Sequence, residues 1–202
     1  MSNILDLLQN QLSGDTLEQL SKQIGGSTKE TKSAIDSALP AILKALNKNS
    51  SNKEGAESLA NALKRDHDGS ILDDLTGFIT SGNDTNGGSG ILKHLFGDKR
   101  KNVEAAVSQQ SGLGKEATSN LMTQLGPIIM GFLGKEKQSG GLDIGGIVDL
   151  VQNQFTGAKK KSGNNKQFDM ITSLLDQDGD GDIQDDVMNI GKKFLGGLFG
   201  RK

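Results

Sequence analysis

Six aspartates lie within eleven residues near the C-terminal end of the chain. The run from Asp176 to Asp182 reads D-Q-D-G-D-G-D, and D-x-D-x-D-G is the start of a calcium-binding loop. Carboxylates at alternate positions can converge on one cation, while Gly181 permits the sharp turn between them. We therefore predict a Ca²⁺ site whose ligands come from Asp176, Asp178, Asp180, the carbonyl group of Asp182, and Asp185 or Asp186.

The closing part of this loop departs from an EF-hand. An EF-hand holds a bidentate acid at position twelve, and that position is Val187 here. We therefore expect weak binding, with a dissociation constant on the order of 10⁻⁴ M or weaker. An alternative needs no metal, because Asp182 can cap a following helix while Asp185 lies in its first turn. The sequence leaves both interpretations open.

A weaker copy of the acidic phrase occurs earlier in the chain. Residues 66–75 align without gaps with residues 178–187, but Lys64 stands where the first acid would be. We predict helix capping rather than cation binding at this copy. In that interpretation Ser70 is the N-cap and Asp73 lies in the first helical turn.

Other residue types that could carry catalysis are few. The chain has no cysteine and two histidines, His67 between two aspartates and His94 in the phrase ILKHLFG. We predict that each histidine is exposed or helps to cap a helix. No Ser-His-Asp order, H-E-x-x-H motif or phosphate-binding loop is present. We therefore predict that the protein is not an enzyme.

Residues 17–35 have the pattern of a helix-turn-helix. A short apolar helix ends at Gly25-Gly26, and Ser27 opens a second helix that carries Lys29 and Lys32. The formal net charge of the chain is only −2, and this segment has no arginine. Nucleic-acid binding depends strongly on positive charge, so a nucleic-acid-associated protein is the alternative prediction and not the first.

The elements that must position these residues are helical. In residues 34–46 apolar side chains recur at helical spacing around Pro40, which predicts a kink or two abutting helices there. Alternating strand patterns are absent, so we predict an all-α fold. Composition divides the chain into one helical repeat over 1–80, a linker over 81–90 and a second repeat over 91–157. A second linker over 158–166 then precedes an acidic loop and amphipathic helix over 167–202.

The two helical blocks resemble each other. The phrase LPAILKALNK at residues 39–48 matches GPIIMGFLGK at 126–135. Upstream, residues 26–30 match residues 112–116 if a one-residue slip lies near Gly126, and LQNQLSG at 8–14 echoes VQNQFTG at 151–157. We predict an internal duplication whose two copies pack on each other.

The chain shows no membrane or export signal. It contains no apolar run of 18 residues, its N-terminus lacks the features of a signal peptide, and the absence of cysteine suits a reducing compartment. We expect a cytoplasmic protein. The apolar face of the terminal helix, with Phe194 and Leu198, is expected to dock on its own domain and not on a membrane.

Several of these phrases carry a family resemblance. SALPAILKAL at 37–46, LANALKRDHDGSILDDL at 59–75, QLGPIIMGFL at 124–133 and LLDQDGDGDIQDDV at 174–187 resemble the YidB-like family of uncharacterised bacterial proteins, domain of unknown function 937. The resemblance implies an all-helical fold with homeodomain-like helices, and it supplies no catalytic residues. We expect a non-enzymatic structural or protein-interaction protein that a divalent cation stabilises.

Overall fold

The computed structural model describes residues 4, 10–81 and 87–162, and these residues form α-helices joined by short loops. The helices are α1 (Gly14–Ile24), α2 (Thr28–Asn49), α3 (Lys53–Arg65), α4 (Leu75–Ser81), α5 (Gly88–Phe96), α6 (Arg100–Ser111), α7 (Lys115–Gly140) and α8 (Ile144–Ser162). Short 3-10 turns lie at Ser70–Leu72 and Gly97–Lys99. No strand occurs in the described residues, so the all-α prediction is confirmed. Within the same ranges, no helix has the length and apolar character needed to span a membrane.

The turn between α1 and α2 follows from two local signals in the sequence. Gly25 ends α1 in the left-handed conformation, with φ 80°, which glycine adopts without steric cost. Ser27 and Glu30 then form a capping box at the start of α2. The Ser27 amide donates to Glu30 Oε2 at 3.0 Å, and the Glu30 amide donates to Ser27 Oγ at 3.2 Å. Hydrogen bonds from Ser27 also lower the pKa of the exposed Glu30 carboxyl.

Both prolines lie inside long, continuous helices. Pro40 lies in α2 and Pro127 in α7, and both are buried. Of the two alternatives predicted at Pro40, two abutting helices are therefore excluded, and a kink within one continuous helix stays a prediction. A proline removes one backbone hydrogen bond and costs several kcal/mol in a free helix, on the order of 3. Burial of the apolar residues on both sides holds each helix together across its proline.

The two long helices share a register relative to their preceding turns. Gly25 and Gly112 are the left-handed caps that end α1 and α6. They are as far apart in the chain as the two prolines, Pro40 and Pro127. The caps and prolines therefore correspond without the one-residue slip that we placed near Gly126. The shared register agrees with an internal duplication, which stays a prediction.

One hydrophobic core includes buried residues from both sides of the 82–86 segment. Helix α2 packs against α6, α7 and α8, and α7 packs in addition against α1, α3 and α5. Helix α5 begins at Gly88, inside the stretch that composition assigns to a linker. Arg100 helps to hold the start of α5 in place, because its Nη1 donates to the hydroxyl of Ser89 at 2.8 Å.

Candidate functional site

A cleft of about 270 Å³ lies where the C-terminal part of α2 meets α3 and α5. Its base is apolar and is formed by Leu46, Leu59, Leu95 and Met130, which are buried. These residues come from four helices, and each lies on the core-facing side of its own amphipathic helix. Pockets with an apolar base and a few polar groups at the edge are typical of binding sites.

The polar edge of the cleft contains both histidines of the chain. His67 follows the end of α3, and His94 lies on α5. His94 is exposed, as predicted, whereas His67 is half-buried. The sequence did not indicate that they line one cleft, since they are far apart in the chain and on different elements.

Burial determines the protonation of His67. It lowers the pKa of the imidazole below its ordinary value, because the charged form loses hydration. The nearby carboxylates of Asp66 and Asp68 oppose this change without reversing it. The ring is therefore neutral at pH 7, and a neutral imidazole offers one hydrogen-bond donor and one acceptor to a ligand.

Two other polar groups at the cleft are used within the fold. The Asn49 side-chain amide donates to the carbonyl oxygens of Ala45 at 2.9 Å and Leu95 at 3.2 Å, and so ties α2 to α5. The hydroxyl of Ser50 donates to the carbonyl oxygen of Asn47 at 3.2 Å. These contacts fix the wall of the cleft in place.

The loop that carries His67 is held tightly against α7. A Cβ atom at Gly134 would collide with the carbonyl oxygen of His67, so the backbones approach closely there. Gln138 also donates to the carbonyl oxygen of Asp68 at 3.1 Å. The position of His67 at the cleft therefore depends on Gly134 of α7.

The prediction that Ser70 is the N-cap of a helix is wrong. It is the first residue of the 3-10 turn, and the N-cap is Gly69, with φ 100°. This left-handed residue turns the chain so that the Ser70 amide donates to Asp68 Oδ1 at 3.0 Å. Hydrogen bonds from Ser70 also lower the pKa of Asp68.

Asp73 also lies outside the first turn that we predicted for it. Helix α4 begins later, at Leu75, and the carboxylate of Asp74 accepts from the Gly77 amide at 2.8 Å. Asp73 instead pairs with Lys135 of α7 at 3.3 Å. The aspartates of residues 66–75 thus form local caps and one contact to α7. The prediction of capping is confirmed in kind, but the residues that we assigned to the cap are wrong.

The predicted calcium ligands lie outside the described residues. They are Asp176, Asp178, Asp180, Asp182, Asp185 and Asp186. In the described ranges, 10–81 and 87–162 together with residue 4, no group of three histidine or acidic side chains is placed to bind a metal ion. Calcium binding therefore stays a prediction about the C-terminal segment alone.

Helices α1 and α2 form the helix-turn-helix that the sequence indicates. Its lysines are partly neutralised, since Lys22 pairs with Glu18 at 2.6 Å and Lys32 with Asp36 at 3.4 Å. The turn packs closely against the following part of the fold at one point, because a Cβ atom at Gly26 would collide with the side chain of Leu113. The contact with Leu113 gives this motif a packing role, and nucleic-acid binding stays the alternative prediction.

Comparison with known protein families matches the N-terminal and central helices. A family described as bacterial protein of unknown function (DUF937) matches residues 6–136. No curated protein and no solved structure matches the chain. The match covers α1–α6 and most of α7, and so includes every residue that lines the cleft.

Proposed function

The chain belongs to this family of bacterial proteins of unknown function, and from that premise we propose that it is a non-enzymatic protein-interaction module. In this proposal the cleft binds an apolar segment of a partner protein. The observation that carries it is the apolar base formed by Leu46, Leu59, Leu95 and Met130 beneath a polar edge with His67. A cytoplasmic location and a bound divalent cation belong to the same proposal.

The size of the cleft supports an apolar side chain as the ligand group. An apolar cavity of about 150 Å³ holds a benzene molecule. The cleft, at about 270 Å³, therefore has room for one aromatic or two smaller aliphatic side chains. Burial of that surface supplies the main driving force, at about 25 cal/mol per Å² of apolar area.

The polar edge supports a ligand with a peptide backbone. A neutral His67 and the hydroxyl of Ser58 can pair with amide and carbonyl groups of a bound segment. The donors of Ser50 and Asn49 already make hydrogen bonds within the fold, so these residues hold the wall of the cleft in shape before a ligand binds. This arrangement supports recognition in preference to covalent chemistry.

A matched pair of tryptophan variants tests the proposal. Ser58 is exposed on α3 and lines the cleft, so Ser58→Trp fills it without disturbing the core. Asn61 is exposed on the same helix and is not among the cleft residues, so Asn61→Trp is the control. Each protein is used for affinity capture from bacterial lysate, and the bound proteins are quantified.

We expect a specific protein that the wild type and Asn61→Trp retain equally and that Ser58→Trp loses by tenfold or more. Capture of that protein by all three forms in equal amount would show that the cleft is not the binding site. Circular dichroism of each variant verifies that the fold is unchanged.

A further inference from the structure

The ammonium group of Lys48 has no hydrogen-bond partner in the described part of the chain. Its Nζ atom is buried there. Lys48 lies in the last turn of α2, where the helix dipole favours a cation, but that effect operates equally on an exposed lysine that keeps its hydration. A buried charge without a partner is costly, and proteins pair such groups with an opposite charge. A carboxylate at Lys48 would remove this cost.

The counterpart of Lys48 in the second long helix has such a carboxylate. This counterpart is Lys135 of α7, because the two lysines are as far apart in the chain as the two helix prolines. Lys135 pairs with Asp73 at 3.3 Å. Asp73 belongs to the segment 66–75, which follows α3 and packs across α7.

Two apolar residues anchor the segment 66–75 in the fold. The side chain of Ile71 lies against Gly131 of α7, where a Cβ atom would collide with it. Leu75, at the start of α4, is buried in the core. Asp73 lies between these two anchors in the sequence, so the segment presents an apolar residue, an acid and an apolar residue at alternate positions.

The C-terminal segment 178–187 has the same pattern. It aligns without gaps with 66–75, and the alignment places Ile183 at Ile71, Asp185 at Asp73 and Val187 at Leu75. The segment lies outside the described residues. The chain reaches it from α8, which packs against α2, through residues 163–177, and these can span up to about 50 Å. The end of α2 is therefore within reach of the segment.

We propose that the segment 178–187 docks on the end of α2 and that the carboxylate of Asp185 pairs with the ammonium group of Lys48. A hollow of about 70 Å³ lies beside Lys48, and its apolar wall includes Ala45 and Phe96. This wall receives part of the Ile183 side chain, as α7 receives the side chain of Ile71.

The contact on α2 is less close than the contact on α7. Lys44 stands at the position that Gly131 has in α7, so the approach of the backbone that Gly131 permits is blocked on α2. Lys44 and Lys99 also line the hollow, and both have interactions of their own. Lys48 is therefore the cation that we assign to Asp185.

A docked segment lies beside the apolar cleft, because Asn49 and Leu95 belong to the walls of both the hollow and the cleft. The docking does not depend on the function proposed for the cleft, since it uses contacts within one chain.

Zero-length cross-linking of the full chain with a carbodiimide tests the proposal. The reagent joins a lysine amine to a carboxylate in contact with it, and mass spectrometry of the digest identifies the pair. The contact between Lys135 and Asp73 is the internal control. We expect a link between Lys48 and Asp185 within one chain, in a yield similar to that of the control. The proposal is overturned if Asp185 links only to other lysines, if it forms no link while the control forms, or if the link joins two copies of the chain.

Thermal unfolding gives a second, independent measurement. Asp185→Asn removes the proposed partner of Lys48, and Asp186→Asn makes the same change of charge at the neighbouring residue as the control. We expect Asp185→Asn to lower the unfolding temperature of the wild type by at least about 2 °C, and Asp186→Asn to lower it by less. In the background of Lys48→Met, which keeps the apolar stem, Asp185→Asn should have no effect. An equal loss in both backgrounds would show that Asp185 acts as a helix cap, and no loss in the wild type would show that it has no partner. Either result contradicts the pairing.

Discussion

Arg100 Nε lies 2.7 Å from Glu104 Oε1, and only 22% and 15% of the two side chains are exposed. The guanidinium also donates to the hydroxyl of Ser89 at 2.8 Å, and Glu104 accepts from the hydroxyl of Ser119 at 3.1 Å. This ion pair therefore joins α5, α6 and α7, and α5 is the helix that forms one wall of the cleft.

Replacing Arg100 should destabilise the fold more than replacing a surface lysine. Arg100→Met leaves Glu104 partly buried without its partner, and we expect a loss of roughly 2–3 kcal/mol in the free energy of unfolding. The control is Lys22→Met, which breaks an exposed pair with Glu18 and should cost less than about 0.5 kcal/mol. Urea denaturation measures both values. Equal losses would mean that the Arg100 pair contributes no more than a surface pair.

The state of His67 predicts a pH dependence of stability. Its pKa in the fold is below its ordinary value of 6.5, so the unfolded chain binds a proton that the folded chain does not. The contribution of His67 to the free energy of unfolding is present above about pH 6.5. It is lost as the pH falls through the lower pKa of the folded state. We expect the free energy of unfolding of His67→Gln to change less between pH 7 and pH 5 than that of the wild type. Parallel pH profiles for the two proteins would contradict the burial of this imidazole.

The close contact at Gly134 predicts that even a methyl side chain at this position lowers the stability of the fold. Gly134→Ala places a methyl group against the carbonyl oxygen of His67, and we expect a loss of roughly 1–3 kcal/mol from overpacking. Gly145→Ala is the control, because Gly145 lies in α8 with only the Asp143 carboxylate nearby. That change should be neutral or stabilising by up to about 1 kcal/mol. Thermal unfolding distinguishes the two, and a stable Gly134→Ala would disprove the close approach.

Calcium binding by the C-terminal aspartates is tested by calorimetry. We expect the full chain to bind Ca²⁺ with a dissociation constant on the order of 10⁻⁴ M or weaker, since Val187 stands where an EF-hand has its bidentate acid. The combined change Asp178→Ala and Asp180→Ala should abolish the heat of binding. The same heat in both proteins, or none in either, would leave helix capping as the explanation of the acidic run.

Local features of the fold were predictable from the sequence because they depend on neighbouring residues. Gly25 and Ser27 mark the turn between α1 and α2, and the apolar spacing around Pro40 marks the core-facing side of α2. The capping of the 66–75 phrase was predicted in kind but assigned to the wrong residues. Gly69 takes a left-handed conformation there, and such a choice depends on the packing of the loop against α7.

The candidate sites were not predictable, because they depend on contacts between distant segments. His67 and His94 line one cleft only because α3 and α5 both pack near the end of α2. Helical periodicity places each residue on a face of its own helix, and tertiary packing decides which faces meet.

Photocrosslinking from the cleft tests the central claim, that a partner protein binds there, most directly. The photoreactive amino acid p-benzoylphenylalanine is placed at position 58, inside the cleft, or at position 61, outside it on the same helix. Irradiation of living bacteria should yield a discrete adduct with one protein from position 58 and none from position 61. Adducts of the same pattern from both positions, or no adduct from position 58, would contradict the account.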